Sequence, residues 1–507
     1  TVKQCSSVAN QFGRNRVLSE LYGCTGWDFT FEGQKWVGDW QYALGVNLRC
    51  QHLALYSLRG CRKRDYPGSY NYNNTWWKYN KVVEDYFARL SFMLSAGKVK
   101  RDVLVIHPIE SAWCVYNCTN DREVNEMGRS FQALCDGLLG LHYDFDLGDE
   151  SIIEDYGRVD GSEFVINMAA YKVVILPPMS TIRRSTVDLL MKFMDNGGKV
   201  ISVKPYAKMM DARQSDELVK LFEHENIKVA DNIMCHIGAA LDCLMQRTIS
   251  IDDKSGQQDE AFIYMERLAG NNHMFFIVNT DRNDHHDVRI WLKASGRIEK
   301  WDALTGDINP ISAEMKNGYL VFDASFPPAG SMLYVIDESC SHINIVQKNS
   351  REVDSRYIGP ECDFERTDPN VLTLDFCRYR FDKEDWSPIM QVWQAQDAIR
   401  KRLGMRSIAI NGLEQRWRWV YTPHPNDGAH VQLLFSFNVK ESPKGHVYFL
   451  VEGSEQFDIA LDGTLISSEP LGWYLDKSFH KVEIPLLAPG YHEIKLGCKY
   501  KNSMELE

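Results

Sequence analysis

Arg16-Val17-Leu18-Ser19-Glu20, Tyr22-Gly23-Cys24-Thr25-Gly26-Trp27-Asp28 and Gly45-Val46-Asn47-Leu48 are the segments whose reading decides the fold. The first is a short apolar strand that ends on a carboxylate. The second is a loop with two glycines. Residues 31–44 then place Trp36, Val37, Trp40 and Leu44 at helical spacing. The third segment opens another strand about 30 residues after the first, and strand, loop, helix and strand at that period form one βαβ unit.

Further along, a polar and aromatic loop runs from Tyr56 to Trp77. An amphipathic helix follows, carrying Val82, Val83, Tyr86, Phe87, Leu90, Met93 and Leu94. Asp102-Val103-Leu104-Val105-Ile106-His107-Pro108 is a continuous apolar run, the mark of a parallel strand buried on both faces. Helical segments at 123–140 and 186–196 alternate with strands at 143–147, 172–178 and 199–203, which predicts an open α/β domain. From about Ala261 helices become scarce. Short strands from Met274 to Ile336 predict a small all-β domain, and strands from Val371 to Tyr500 a second β-sandwich.

The chain has 507 residues and a formal charge of -12. Hydrophobic residues make up 44% and charged residues 25%, ordinary globular usage that argues against a disordered chain. An acidic balance argues against a nucleic-acid partner. No apolar run reaches the roughly 18 residues needed to span a bilayer. The 13 cysteines are scattered with no CxxC pair, so a zinc ribbon is not expected, and reduced thiols in a cytosolic protein fit best, with secretion as the alternative. The opening Thr1-Val2-Lys3-Gln4 has no leader pattern, and we read the chain as part of a longer protein. Residues 1–100 differ from the rest: 18 are aromatic, and 14 Lys and Arg face 7 Asp and Glu.

Glu20 closes a strand before a glycine-containing loop, where a (β/α)8 barrel carries its working side chains. A glycosidase needs such a carboxylate as acid, base or nucleophile beside the anomeric carbon; the alternative is a capping or salt-bridged Glu. His52 holds the matching place on the next strand, as a hydrogen-bonding imidazole or a satisfied core histidine. Asp28 either binds hydroxyls or caps the helix that follows. Trp27, Tyr56, Trp76 and Trp77 offer flat apolar faces for a sugar, although aromatic residues more often belong to a core. Arg59, Arg62, Lys63 and Arg64 read as an anion site or, more simply, as solvated surface. In the α/β segment, His107, Glu110 and Cys114 cluster after one strand, but Ser111-Ala112-Trp113-Cys114 is not the small-residue elbow that a catalytic cysteine needs. His285-His286 beside Asp284 and Asp287 reads as a turn rather than a metal site.

Lys3-Gln4, Ser6-Ser7-Val8-Ala9, Val17-Leu18-Ser19-Glu20, Gly23-Cys24-Thr25-Gly26-Trp27-Asp28, Asp39-Trp40, Gly45-Val46-Asn47, His52 and Tyr56-Ser57-Leu58-Arg59-Gly60 resemble the second half of the catalytic barrel of bacterial α-L-rhamnosidases of glycoside hydrolase family 106. They also resemble related proteins labelled glycosyl hydrolase family 2, sugar-binding. The resemblance implies a multidomain α/β plus all-β chain. Its expected parts are the C-terminal part of a (β/α)8 barrel at 1–100 and a flavodoxin- or amidotransferase-like α/β domain at 101–250. A small β-sandwich at 251–340 and a galactose-binding-like jelly roll at 341–507 complete it. The implied function is removal of a terminal sugar, α-L-rhamnose, by carboxylate acid/base catalysis with inversion. The alternatives are a retaining β-glycosidase of the same barrel clan and a non-catalytic carbohydrate-binding protein. By the same resemblance Glu20 is the catalytic candidate and Asp28, Trp27, His52, Tyr56 and Trp77 are substrate-binding candidates. A calcium ion is the implied cofactor, and an N-terminal remainder of the same protein the implied partner, with no nucleic acid and no membrane.

Overall fold

The computed structural model describes residues 1–64, 68–340, 356–357, 359–408 and 416–506. It is a mixed α/β chain with many sheets, and its contacts divide it into two compact units. The first holds Thr1–Leu21, Thr30–Cys50 and Lys81–Val353; the second holds Tyr22–Phe29, Gln51–Asn80 and Asp354–Glu507.

In the first unit, α1 (Val2–Gln11), β1 (Leu18–Leu21), α2 (Phe31–Ala43), β2 (Leu48–Gln51) and α3 (Lys81–Met93) follow the expected order, with β1 and β2 in one sheet. The buried face of α2 is not the one its apolar residues suggest. Gln34, Gly38, Asp39, Tyr42 and Ala43 face inward, while Trp40 is exposed and the Arg282 guanidinium lies 4.1 Å from the Trp36 ring centre.

Five parallel strands follow: Val103–Ile106, Phe145–Gly148, Val173–Leu176, Lys199–Val203 and Ile227–Ala230. Numbered by chain order within this sheet, they lie side by side as 2-1-3-4-5, the flavodoxin-type arrangement. Alternate residues serve opposite cores, as a pleated strand requires. Leu104, Ile106, Val174 and Leu176 pack with Leu190 and Phe193, whereas Val103, Val105, Val173 and Ile175 pack with Leu134, Leu138 and Leu241. With both faces covered, no polar alternation is needed, which is why these strands read as apolar runs.

Two antiparallel sheets, of four and six strands, form the all-β part of this unit. One face of the six-stranded sheet joins the sandwich core through Tyr264, Phe275, Ile277 and Tyr334. The other, with Met265, Met274, Phe276, Val278 and Val335, packs on Tyr42, Tyr86, Phe87 and Leu90 of α2 and α3. Lys98–Val99 adds an edge strand to that sheet by pairing with Phe262–Ala269. The helices after β1 and β2 therefore share a core with the sandwich.

The C-terminal part of the second unit has a six-stranded and a three-stranded antiparallel sheet around one core that includes Val431, Leu433, Ile459, Val482 and Leu496. Helix Val392–Arg402 closes that core with Ala395 and Ile399. Among the described residues no helix is long and apolar enough to cross a membrane, and no disulfide joins the cysteines.

Candidate active site

In the first unit, the ends of β1 and β2 are set by side chains that the sequence places far apart. Asn47, just before β2, accepts the Val17 amide at 3.0 Å and donates to the carbonyls of Asn15 at 2.8 Å and Leu94 at 3.0 Å. Gly45 has φ +117°, and a Cβ there would lie 2.4 Å from Ser6 Cβ, so the close approach of α1 requires glycine. Asp39 is fully buried and accepts from Tyr86 Oη at 2.8 Å, Ser331 Oγ at 2.7 Å and Lys35 Nζ at 2.6 Å. Burial pushes its carboxyl up, and Lys35 with the two hydroxyls pulls it part of the way back. Within this frame Glu20 is the third residue of four in β1; it is exposed, while Leu21 beside it is buried.

Lys3 is held as firmly. Its Nζ lies 2.5 Å from Asp144, which also accepts Arg101 at 2.7 Å; Arg101 reaches Asp146 at 2.6 Å. All four side chains are almost wholly buried. Burial lowers the Lys3 ammonium to about 8. Several residues that carry the family resemblance, Lys3, Ser6, Asp39, Gly45 and Asn47, are thus joints of the scaffold.

The second unit holds the two loops that follow β1 and β2. In the first loop Tyr22, Cys24 and Gly26 all have left-handed φ, of 70°, 59° and 94°. Two of these are not glycine, a conformation that persists only where surroundings fix it. Tyr70 of the second loop fixes it here. Its ring lies 5.6 Å from Tyr22 and 5.7 Å from Trp76, and its hydroxyl 3.2 Å from Thr25 Oγ1. Trp27 donates from Nε1 to the Lys63 carbonyl at 2.9 Å. A Cβ on Gly68 would lie 3.0 Å from the Gly26 carbonyl and 3.5 Å from the Trp27 ring, so the chain crosses beneath that indole.

The second loop is also bonded to the C-terminal sheets. Asp476 accepts the Leu58 amide at 2.8 Å and Ser57 Oγ at 3.1 Å. Glu452 accepts the Gly60 amide at 2.9 Å and Lys63 Nζ at 2.7 Å, and Glu505 accepts the Cys61 amide at 3.3 Å. Burial pushes Asp476 up, but hydrogen bonds from Ser478, Leu58 and Ser57 hold it below the usual carboxylate range. Of the basic cluster, Lys63 is committed to Glu452, and the Arg64 guanidinium lies 5.5 Å from the Trp393 ring. These anchors lie beyond the reach of sequence reading: Leu58 and Asp476 are 418 residues apart.

The structure places Glu20 in the first unit and Trp27, Asp28, His52, Tyr56 and Trp77 in the second. Trp27 and Trp77 are 37% and 40% exposed, half-open rings backed by protein, while Tyr56 is 95% exposed. Trp76 is packed with Tyr70. Asp28 is exposed, and α2 is capped by Thr30, whose side chain accepts the Gly33 amide at 3.1 Å; the capping reading of Asp28 therefore fails. His52 is half-buried. His286 pairs with Asp259 at 2.7 Å and Asp281 at 3.3 Å rather than standing in a turn with His285. No group of three or more His, Cys, Asp or Glu among the described residues is placed to hold a metal ion.

The first unit thus carries an exposed carboxylate on a short strand and a 2-1-3-4-5 sheet, and the second carries two half-open tryptophans on the loops that follow β1 and β2. The sequence model of one family, described as alpha-L-rhamnosidase (glycoside hydrolase family 106), matches residues 1–315, and the chain belongs to that family. A rhamnosidase from Novosphingobium sp. PP1Y shares the fold, with TM-score 0.50 and 16% identity over 99% of this chain and 45% of its own. A Bacillus circulans sp. alkalophilus beta-galactosidase aligns with TM-score 0.44 and 12% identity over 61% of this chain and 52% of its own. A Formosa agariphila protein provisionally named a beta-glucuronidase is 25% identical over 313 residues, 60% of this chain and 25% of its own length. The chain thus spans a quarter of that curated relative and less than half of the solved rhamnosidase.

Proposed function

We propose that this chain is the C-terminal part of a glycosidase that removes terminal α-L-rhamnose from glycosides, with Glu20 as one working carboxylate. The observation that carries the reading is the family match across β1, β2 and their loops, with Glu20 exposed on β1. A carboxylic acid placed there protonates the leaving glycosidic oxygen, or as carboxylate activates water, beside an oxocarbenium-like transition state. The half-open indoles of Trp27 and Trp77 suit the C–H face of a pyranose. By the same resemblance, Asp28, His52 and Tyr56 are further candidates for binding its hydroxyls and faces. The barrel reading of residues 1–100 and the jelly-roll reading of the C-terminal sheets belong to this proposal.

The test is hydrolysis of aryl α-L-rhamnoside, β-D-galactoside and β-D-glucuronide by the complete protein, with the product anomer read by NMR. Rhamnoside cleavage with inversion is the expected result. Cleavage of a β-glycoside with retention would move the chain to the other barrel chemistry, and no cleavage of any glycoside would leave a binding protein.

A further inference from the structure

The carboxyl ends of the five parallel strands carry an open cleft of about 420 Å³ that the proposed function does not use. It is lined by Glu110, Trp113 and Cys114 after strand Val103–Ile106, by Thr181 and Arg183 after Val173–Leu176, and by Asp211 after Lys199–Val203. Strands Val103–Ile106 and Val173–Leu176 are neighbours, and the helices Arg122–Gly140 and Arg184–Asp195 that follow them pack into the cores on opposite faces of the sheet. That is the topological switch point, where open α/β sheets have a crevice able to take a ligand.

The lining is held in place. Arg183 donates from Nε to Glu110 at 2.6 Å and from Nη1 to Glu154, and its backbone amide donates to the buried Glu150 at 2.8 Å. Ser111 Oγ accepts the amides of Ser180 at 3.0 Å and Thr181 at 3.1 Å. Thr181 Oγ1 accepts the Ala212 amide at 2.9 Å, and Asp211 Oδ1 the Arg184 amide at 3.1 Å. These bonds leave Arg183 Nη2 as a donor, and Glu110 Oε2 and Asp211 Oδ2 as acceptors, without a bonded protein partner among the described residues. Trp113 is 65% exposed.

A cation would meet the arginine, and a phosphate would meet two carboxylates. A hydroxyl both donates and accepts, so a vicinal diol satisfies a guanidinium and a carboxylate together. An indole face beside such a pair suits the apolar face of a pyranose ring. We propose that this cleft is a carbohydrate-binding site for a neutral pyranose unit of a glycan, with Trp113 as the stacking platform and Glu110, Arg183 and Asp211 reading its hydroxyls. The site is non-catalytic and stands whether or not the chain hydrolyses rhamnosides.

Saturation-transfer NMR on the full chain, with L-rhamnose and D-galactose as probes and inorganic phosphate as competitor, tests it. The expected result is binding of at least one sugar that survives Trp27→Ala, is weakened about tenfold or more when Trp113→Ala or Glu110→Gln is added to that variant, and is not displaced by phosphate. Trp113 is exposed enough for its variant to fold, and a matching thermal melt checks this. Binding of neither sugar, binding unchanged when Trp113→Ala is added to folded Trp27→Ala, loss in folded Trp27→Ala, or displacement by phosphate would each overturn the assignment.

Discussion

At the scale of single residues, the side chains that mark the family have two kinds of work. Asp39 and Asn47 hold β1, β2, α2 and α3 in register, whereas Glu20 does none of this and stands exposed. Asp39→Ala leaves Lys35, Tyr86 and Ser331 without their shared acceptor in a buried place. Chemical denaturation should show a loss of about 2–4 kcal/mol, with Asp39→Asn losing less. Glu150 gives a pH signature. Burial raises its carboxyl from 4.5 to about 7. Between those values the folded chain keeps a proton that the unfolded chain has released, so stability falls as pH rises through that window. A shift of that size amounts to about 3 kcal/mol. Glu150→Gln retains an acceptor for the Arg183 amide and should flatten the stability profile between pH 4.5 and 7, measured by urea melts. The strand that carries Glu20 was legible, but its end was not: the sequence reading closes it on Glu20, whereas it runs one residue further to the buried Leu21. The face of α2 was not: Trp36 and Trp40 have the spacing of a core stripe, but a buried carboxylate with three donors outweighs two indoles that keep partial contact with water.

At the scale of elements, the loop after β2 is fixed by carboxylates from the C-terminal sheets. Asp476→Asn keeps the size of the side chain but removes the charge that the Leu58 amide and Ser57 hydroxyl meet. Hydrogen exchange at Leu58 should accelerate about tenfold, while the core amides of Ala429–Val439 keep their protection. Asp476 sits below the ordinary carboxylate value of 3.8, so its contribution is complete above that value and is lost only as pH falls through the lower folded one. A fully protected Leu58 amide in the variant would show that the loop holds itself. The α/β strands were legible because two covered faces leave an unbroken apolar run. The three-stranded sheet Gly157–Asp160, Glu163–Ile166 and Ala169–Tyr171 was not, since its strands are three or four residues long. Helix Val392–Arg402 escaped for another reason. It buries Gln396 and Arg400, whose guanidinium is satisfied by Tyr500 and Asn502, partners about a hundred residues away that no periodicity reveals.

At the scale of the whole molecule, contacts group the loops at 22–29 and 51–80 with residues 354–507, although the chain presents them inside its first hundred residues. Sequence order shows modules; it does not show which module a loop packs on, because that depends on single bonds such as Leu58 to Asp476. The family match covers residues 1–315, across β1 and its carboxylate, and the central claim is that Glu20 takes part in glycoside cleavage. The most direct measurement is kcat for an aryl α-L-rhamnoside with the complete protein and its Glu20→Gln variant, their thermal unfolding being matched. A fall of about 10²–10⁴ in kcat with folding unchanged is the predicted result, the size expected for loss of a general acid or base. Wild-type turnover in the folded variant would contradict the assignment.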